Sequence, residues 1–188
     1  MLKVNEDFIT FTTDRLIIRD LIYTDLDFIH LLHSNPKVQR YATLDIPQSI
    51  NESKDYLKNY IEQRHLSPRK EYGFCISLIN KVPIGLIGLS KGLSKFKNAE
   101  LWFKLHPDYW GKGYVTESAL QVIKFGFEKL SLHRIEAGVA TENIDSIKVL
   151  EKIGMQREGL RRKILPIRGE WKDNFHYAIL EDDQTLVQ

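Results

Sequence analysis

The chain has 188 residues, 43% hydrophobic and 28% charged, which suits one globular domain with a core that needs no disulfides. The 27 Lys and Arg residues nearly balance the 25 Asp and Glu residues, and a formal charge of +2 disfavours a protein that coats nucleic acid. Cys75 is the only cysteine, which excludes an internal disulfide and a cysteine zinc site. The sequence shows neither a signal-peptide pattern nor the roughly 18 continuous apolar residues of a membrane helix. We therefore expect a cytoplasmic protein that binds neither nucleic acid nor membrane.

The spacing of apolar residues predicts six elements in the first part of the chain. They are a strand over residues 13–19, helices over residues 24–35 and 49–62, and strands over residues 72–79, 83–90 and 99–105. In the last of these strands, strict alternation places Glu100, Trp102 and Lys104 on one face.

The second part of the chain changes from a period of two to a helical period and back. The elements predicted there are a helix over residues 114–130, a strand over 133–140, a short helix from the N-cap Asn143 to Gly154, and strands over 156–165 and 171–180. This order predicts an α+β fold with a central mixed sheet. Because no linker interrupts it, we expect a single domain over residues 1–188.

Two glycines, Gly111 and Gly113, separate the strand over residues 99–105 from the helix that begins at Tyr114. Glycine permits close approach of the backbone and a positive φ, and the first amides of a helix have no partner inside the helix. The helix dipole adds partial positive charge at the same end. An anion such as a pyrophosphate is therefore the natural ligand of this turn.

The glycine pattern fits neither common nucleotide motif. Gly113 and Tyr114 follow Lys112, so the P-loop sequence is absent, and Thr116 stands where a dinucleotide-binding loop has its third glycine. A tight strand-to-helix turn without any ligand is the simpler interpretation of the two glycines alone.

The sequence from Ala99 to Glu117 resembles the acyl-CoA motif of the GNAT superfamily of N-acetyltransferases. It is more similar still to the subgroup that acetylates the N-terminal amines of ribosomal proteins. Residues 13–19 resemble the opening strand of that subgroup. Its later signature is matched by Asn143-x-x-Ser146 and by residues 150–154, 157–159 and 169–173. The resemblance spans nearly the whole chain, and the order of the motifs makes it specific.

This resemblance implies a GNAT-like fold, with a mostly antiparallel twisted sheet that is splayed at its centre and has helices on both faces. It implies acetyl-CoA as acyl donor and no metal, and a homodimer by analogy. The acceptor would be a protein N-terminus or a small-molecule amine. The predicted cofactor-binding residues are Phe103, Lys104, Leu105, Trp110, Gly111, Lys112, Gly113, Tyr114, Val115, Thr116, Asn143 and Ser146.

The chain departs from the family pattern at two positions. Asp108 stands three residues before Gly111, where the superfamily usually has Gln or Arg. Leu150 stands where the last short helix often carries a tyrosine that acts as general acid. Because the phosphate contacts of the motif come largely from backbone amides, we expect the first departure to leave cofactor binding intact. The second departure, Leu150, leaves an alternative function open, namely a domain that binds acyl-CoA without catalysing transfer.

Acetyl transfer requires a neutral amine, a group that accepts its proton and a donor for the departing thiolate. Glu100 is the candidate base because it lies on the strand that leads to the glycine turn. Ser146 is the candidate donor because the subgroup has a serine three residues after the asparagine. Each also has a simpler interpretation, Glu100 as an exposed carboxylate and Ser146 as a capping residue. Cys75 is expected to be buried and not to act as a nucleophile.

Overall fold

Nine strands form one sheet in the computed structural model, which describes residues 2–5 and 8–186. The strands are β1 (Leu2–Asn5), β2 (Phe8–Thr12), β3 (Leu16–Asp20), β4 (Glu71–Leu78), β5 (Pro83–Lys91), β6 (Asn98–Leu105), β7 (Arg134–Ala140), β8 (Gln156–Ile167) and β9 (Glu170–Leu180). Their order across the sheet is β1-β2-β3-β4-β5-β6-β7-β9-β8. The predicted α+β fold with a central mixed sheet is confirmed.

Four α-helices cover the two faces of the sheet in the described part of the chain. They are α1 (Leu26–His33), α2 (Ile50–Gln63), α3 (Tyr114–Glu128) and α4 (Ile144–Lys152). Helices α1 and α2 pack on one face, in a cluster that includes Leu57, Cys75 and Trp102. Helices α3 and α4 pack on the other face, with Val122 and Leu150. None of the helices in the described residues is long and apolar enough to cross a membrane.

Strands β6 and β7 form the one parallel pair among the described strands, and they separate along most of their length. Their pairing runs only from Asn98↔Arg134 to Glu100↔Glu136. Beyond that point β6 continues to Leu105 and β7 to Ala140 without pairing to each other. The sheet is therefore splayed at its centre, as the family resemblance implied.

The N-terminal region contains two strands that the sequence reasoning missed. Residues 13–19 were expected to form the first strand, but β1 and β2 precede it and β3 begins at Leu16. The pattern was present in the sequence, since Ile9 and Phe11 in β2 are both buried and alternate with less buried neighbours.

Candidate active site

The gap between β6 and β7 opens into a groove with a volume of about 930 Å³. One end is formed by the turn that precedes α3 and by the first turn of α4. The other end is covered by the loop over residues 37–44, which joins α1 to α2. Since α1 and α3 lie on opposite faces of the sheet, the groove passes through the sheet and is open to both faces.

The turn before α3 has the conformation expected of an anion-binding loop. Gly111 and Gly113 have φ values of +73° and +78°, which favour glycine over any other residue. A Cβ added at Gly111 would meet no protein atom within 4 Å, so this side of the turn is open. The backbone N–H groups of residues 111–116 donate to no acceptor in the described part of the chain. They provide a cluster of free donors at the positive end of α3.

A side-chain cluster from the start of β3 holds this turn in place. Arg15 forms an ion pair with Glu117 in the first turn of α3. Arg15 Nη1 also donates to the Lys112 carbonyl oxygen at 3.1 Å, and its guanidinium lies 4.7 Å from the centre of the Tyr114 ring. Thr13 Oγ1 donates to the second carboxylate oxygen of Glu117. The cluster neutralises the one carboxylate of the first turn, which would otherwise repel an anion.

The backbone of β6 presents unpaired groups to the gap. His106 N–H donates to the Ile84 carbonyl oxygen on β5 at 2.8 Å. Backbone groups alternate in direction along a paired strand, so those of Lys104 also face β5. The groups of Phe103 and the N–H of Leu105 therefore face the gap, where no partner strand is present.

The backbone of β7 presents unpaired groups to the gap from the opposite side. Thr141 N–H, just beyond β7, donates to the Asp173 carbonyl oxygen on β9 at 3.2 Å, so by the same alternation the groups of Gly138 face the gap. Asn174, which is buried, accepts the Val139 N–H through Oδ1 at 2.6 Å. The two strands thus offer backbone donors and acceptors to an extended ligand that carries amides, as in β-augmentation.

Glu100 lies at the point where β6 and β7 separate, and it lines the groove. Although its side chain keeps contact with solvent, burial of the carboxylate raises the pKa of Glu100, and Glu136 on β7 raises it further. Arg161 on β8 opposes this shift. A carboxylate with a raised pKa is a better proton acceptor than an ordinary surface glutamate.

The first turn of α4 lies across the groove from the turn of α3. Asn143 is the N-cap, and its Oδ1 accepts the Ser146 N–H at 3.3 Å. The Ser146 hydroxyl has no hydrogen-bond partner among the described residues, although it lines the groove. It is therefore available to donate to a ligand atom.

The end of the groove on the α1–α2 side contains a cluster that the sequence did not reveal. Lys104 Nζ donates to Gln39 Oε1 at 3.3 Å, and Gln39 Nε2 donates to the His33 carbonyl oxygen at 2.9 Å. Arg168, in the β8–β9 turn, donates to the Gln39 carbonyl oxygen at 3.0 Å. Burial, with a smaller contribution from Arg168, lowers the pKa of Lys104 to about 8. The α1–α2 loop is thus bound to both β6 and the β8–β9 turn.

Comparison with known proteins identifies the family. The family model of the acetyltransferase (GNAT) domain matches residues 15–156, which is most of the chain. An uncharacterized N-acetyltransferase, YnaD of Bacillus subtilis, is 32% identical over 172 residues, which cover 92% of this chain and 97% of that protein. The chain belongs to the GNAT acetyltransferase family. It is an acetyl-CoA-dependent N-acetyltransferase.

Two further similarities concern the acceptor. The crystal structure of spermidine N-acetyltransferase from Vibrio cholerae, in complex with CoA and spermine, has a TM-score of 0.82 and 26% identity. The match covers 92% of this chain and 99% of that one. A putative ribosomal N-acetyltransferase, YdaF of Bacillus subtilis, is 31% identical over 97 residues, covering 52% of this chain and 53% of that protein.

The GNAT groove gathers nearly all of the residues predicted from the sequence. Glu100, Ser146 and every predicted cofactor-binding residue except Lys112 line it. The Lys112 side chain turns away to the Asp108 carbonyl oxygen, at 2.8 Å. Lys104 lines the groove as predicted, but through its side chain on the α1–α2 side and not through a backbone group facing the gap.

The two departures from the GNAT pattern have different structural consequences. Asp108 is exposed in the short turn before Trp110, outside the residues that line the groove. Leu150 lines the groove but is almost completely buried, so an apolar contact occupies the position of the usual tyrosine. The Ser146 hydroxyl, one helical turn earlier on α4, also lines the groove and is free to donate.

In the described part of the chain, Cys75 forms no nucleophilic site, and the acidic residues form no metal site. The Cys75 thiol is buried on the α1–α2 side of the sheet, and burial raises its pKa to about 11. It does not line the groove, as expected for a packing residue. Within residues 2–5 and 8–186, no group of three or more His, Cys, Asp or Glu side chains is arranged to hold a metal ion.

Proposed function

We propose that this N-acetyltransferase transfers the acetyl group to the N-terminal α-amine of a protein, of the ribosomal-protein type. One observation supports acetyl transfer from coenzyme A, namely the cluster of free amides at residues 111–116 beside the gap where β6 and β7 are not paired. That arrangement fits the two distinctive parts of coenzyme A, a pyrophosphate and an amide-containing pantetheine arm.

The acyl donor is positioned by backbone groups at both ends of the groove. The amides of residues 111–116 bind the pyrophosphate, and Arg15 holds their turn in place. The pantetheine amides pair with the open backbone groups of Phe103 and Gly138. The Phe103 N–H is a candidate donor to the thioester oxygen, because it faces the gap and has no partner strand.

The reaction forms a C–N bond and breaks the C–S bond of the thioester. Glu100 accepts a proton from the amine, directly or through water, because its raised pKa favours the protonated form. The departing thiolate accepts a hydrogen bond from the Ser146 hydroxyl and takes its proton from solvent. Ser146 therefore stabilises the thiolate, and solvent supplies the proton that the buried Leu150 cannot.

An α-amine suits a groove with one weak base. The pKa of an α-amine, roughly 7.7–8.0, leaves a large fraction of the amine neutral near physiological pH, whereas a lysine-type amine, with a pKa of about 10.4, is almost entirely charged. The sequence motifs at residues 143–146 and 169–173 and the similarity to a putative ribosomal N-acetyltransferase support the same acceptor class. A lone free cysteine and the acyl donor itself support a cytoplasmic location.

A small-molecule amine is the second candidate acceptor. It is favoured by the similarity, over almost the whole chain, to a spermidine N-acetyltransferase crystallised with CoA and spermine. Fold alone does not decide between these acceptors, since the acceptor is chosen by the groove wall and not by the sheet.

Coenzyme A release over a panel of acceptors tests the proposal. We expect turnover with peptides that have a free N-terminus and none with the same peptides blocked by acetylation. Turnover only with spermidine or another small amine would contradict the proposed acceptor. No turnover with any amine, despite binding of acetyl-CoA, would identify a non-catalytic binding domain.

Two substitutions with matched controls test the catalytic roles. Ser146→Ala and Glu100→Gln should each lower kcat by about 10- to 1,000-fold, the range expected for a lost donor or proton acceptor. Ser94→Ala, in the loop before β6, and Glu128→Gln, at the exposed end of α3, remove the same groups elsewhere and should leave kcat unchanged. If both site variants turn over at the wild-type rate, the residue roles are wrong.

A further inference from the structure

With coenzyme A bound at the glycine turn, the end of the groove on the α1–α2 side is left for the acceptor, and it carries a cation with no anionic partner. Lys104 shares the face of β6 with Trp102, on the side covered by α1 and α2, and it lines the groove. The only hydrogen bond of its ammonium within the described residues is to the neutral Gln39 amide, and no carboxylate oxygen there lies within 4.0 Å of Nζ. An ammonium has three donors, so two remain for a ligand in the groove.

Contacts from Gln39 and Arg168 fix the position of the Lys104 side chain. Gln39 is fully buried, and because its Nε2 donates to the His33 carbonyl, its amide oxygen is the atom left to face Lys104. The Arg168 hydrogen bond to the Gln39 carbonyl fixes the same loop from the opposite side. Lys104 is therefore aimed into the groove by contacts that neutralise none of its charge.

The other charges at this end do not compensate for it. Lys37 and Arg40, from the α1–α2 loop, also line the groove. Of the carboxylates, Glu100 lies four residues earlier on β6 and forms no ion pair with Lys104, while Asp45 is paired with Arg168 at 3.4 Å and Glu142 with Lys172 at 3.6 Å. A polyamine would place further positive charges beside these cations, which disfavours it.

We infer that the acceptor carries a carboxylate, which Lys104 binds while the amine of the same molecule faces the thioester. Lys104 adjoins Phe103, whose backbone faces the gap, so the carboxylate lies within about two residues of extended chain, roughly 7 Å, of the reacting amine. In a protein acceptor this is an acidic side chain at the second position. The inference rests on the proposed function for that acceptor and narrows it.

Two matched acceptor pairs test the inference without altering the protein. One pair is a peptide with Ala-Glu at its N-terminus and the same peptide with Ala-Gln, which has the same shape and no charge. The other is 4-aminobutyrate and putrescine, which differ in having a carboxylate or a second amine at the far end. We expect kcat/KM to favour the carboxylate member by at least about tenfold, as a charge-assisted hydrogen bond would provide.

Variants then assign the preference to Lys104. Lys104→Gln should reduce the ratio of the two kcat/KM values to near one, and Lys104→Arg should retain part of it. Lys124→Gln, which removes an exposed lysine from α3, should keep the wild-type ratio. Coenzyme A affinity, measured by calorimetry, checks that each variant is folded.

The outcomes separate the inference from the proposed function. Equal turnover of both members of each pair by the wild-type protein, or an unchanged ratio in Lys104→Gln, would overturn the inference and leave the proposed function standing. Turnover of 4-aminobutyrate but of neither peptide would overturn the protein acceptor and support the carboxylate. No turnover of any acceptor would overturn both.

Discussion

Replacing Gly113 by alanine perturbs the proposed pyrophosphate site with little change in its surroundings. Gly113 is the N-cap of α3 and has a φ of +78°. A Cβ added there would lie 3.6 Å from Arg15 Nη2, an ordinary van der Waals contact. The effect of the substitution therefore comes from backbone conformation and not from a clash.

The magnitude follows from the cost of a left-handed conformation. An L-residue in this region costs about 1–2 kcal/mol, and the stiffer unfolded chain offsets about 0.4–1 kcal/mol of the loss in stability. If the alanine turn relaxes in the free protein, coenzyme A must restore it on binding. The affinity then falls by up to the same 1–2 kcal/mol, which is about 5- to 30-fold in Kd.

Calorimetric titration with coenzyme A and chemical denaturation measure the two effects separately. Gly169→Ala is the matched control, because Gly169 has a φ of +81° and an added Cβ would meet nothing within 4 Å, but it lies in the β8–β9 turn and does not line the groove. Both variants should lose a similar amount of stability, and only Gly113→Ala should lose affinity. If Gly113→Ala is destabilised like the control and still binds coenzyme A as tightly as the wild type, the turn does not hold the pyrophosphate.

Three further substitutions test other parts of the site. Arg15→Gln removes the ion pair that holds the turn, and should raise the KM for acetyl-CoA several-fold with little change in kcat; an unchanged KM would contradict the positioning role. Because the amine must be neutral and the base ionised, kcat/KM should fall as the pH decreases through the pKa of the amine, and fall more steeply below the pKa of Glu100, which lies above its usual value; Glu100→Gln should remove the steeper part. A steeper part that persists in the variant would assign the base elsewhere. Cys75→Ala should keep full turnover and lose about 1–2 kcal/mol of stability, since the thiol is buried outside the groove; loss of activity in the folded variant would contradict this.

Local features of the site were predictable from the sequence because they depend on short-range patterns. The alternation over residues 99–105 placed Glu100 and Lys104 on one face with Trp102, and the uninterrupted register of β6 with β5 keeps that alternation, since Trp102 packs on the α1–α2 side and Leu101 on the other. The glycine spacing gave the turn, and the helical period gave α3, whose observed start at Tyr114 agrees with the prediction. The Asn143 cap followed from residue type and position.

The α1–α2 end of the groove was not predictable because it depends on contacts between distant residues. Residues 37–44 have no regular period, and only the folded chain shows that Gln39 meets Lys104 on β6 and Arg168 in the β8–β9 turn. The Arg15–Glu117 pair joins residues 102 positions apart, which no local pattern indicates.

The amide resonances of residues 111–116 test the central claim most directly. In a heteronuclear NMR titration, coenzyme A should shift these resonances, because the free N–H groups gain the pyrophosphate as acceptor. Pantetheine, which has no pyrophosphate, should leave them in place while it shifts the amides of Phe103 and Gly138. Binding of coenzyme A without any change in the amides of residues 111–116 would contradict the account.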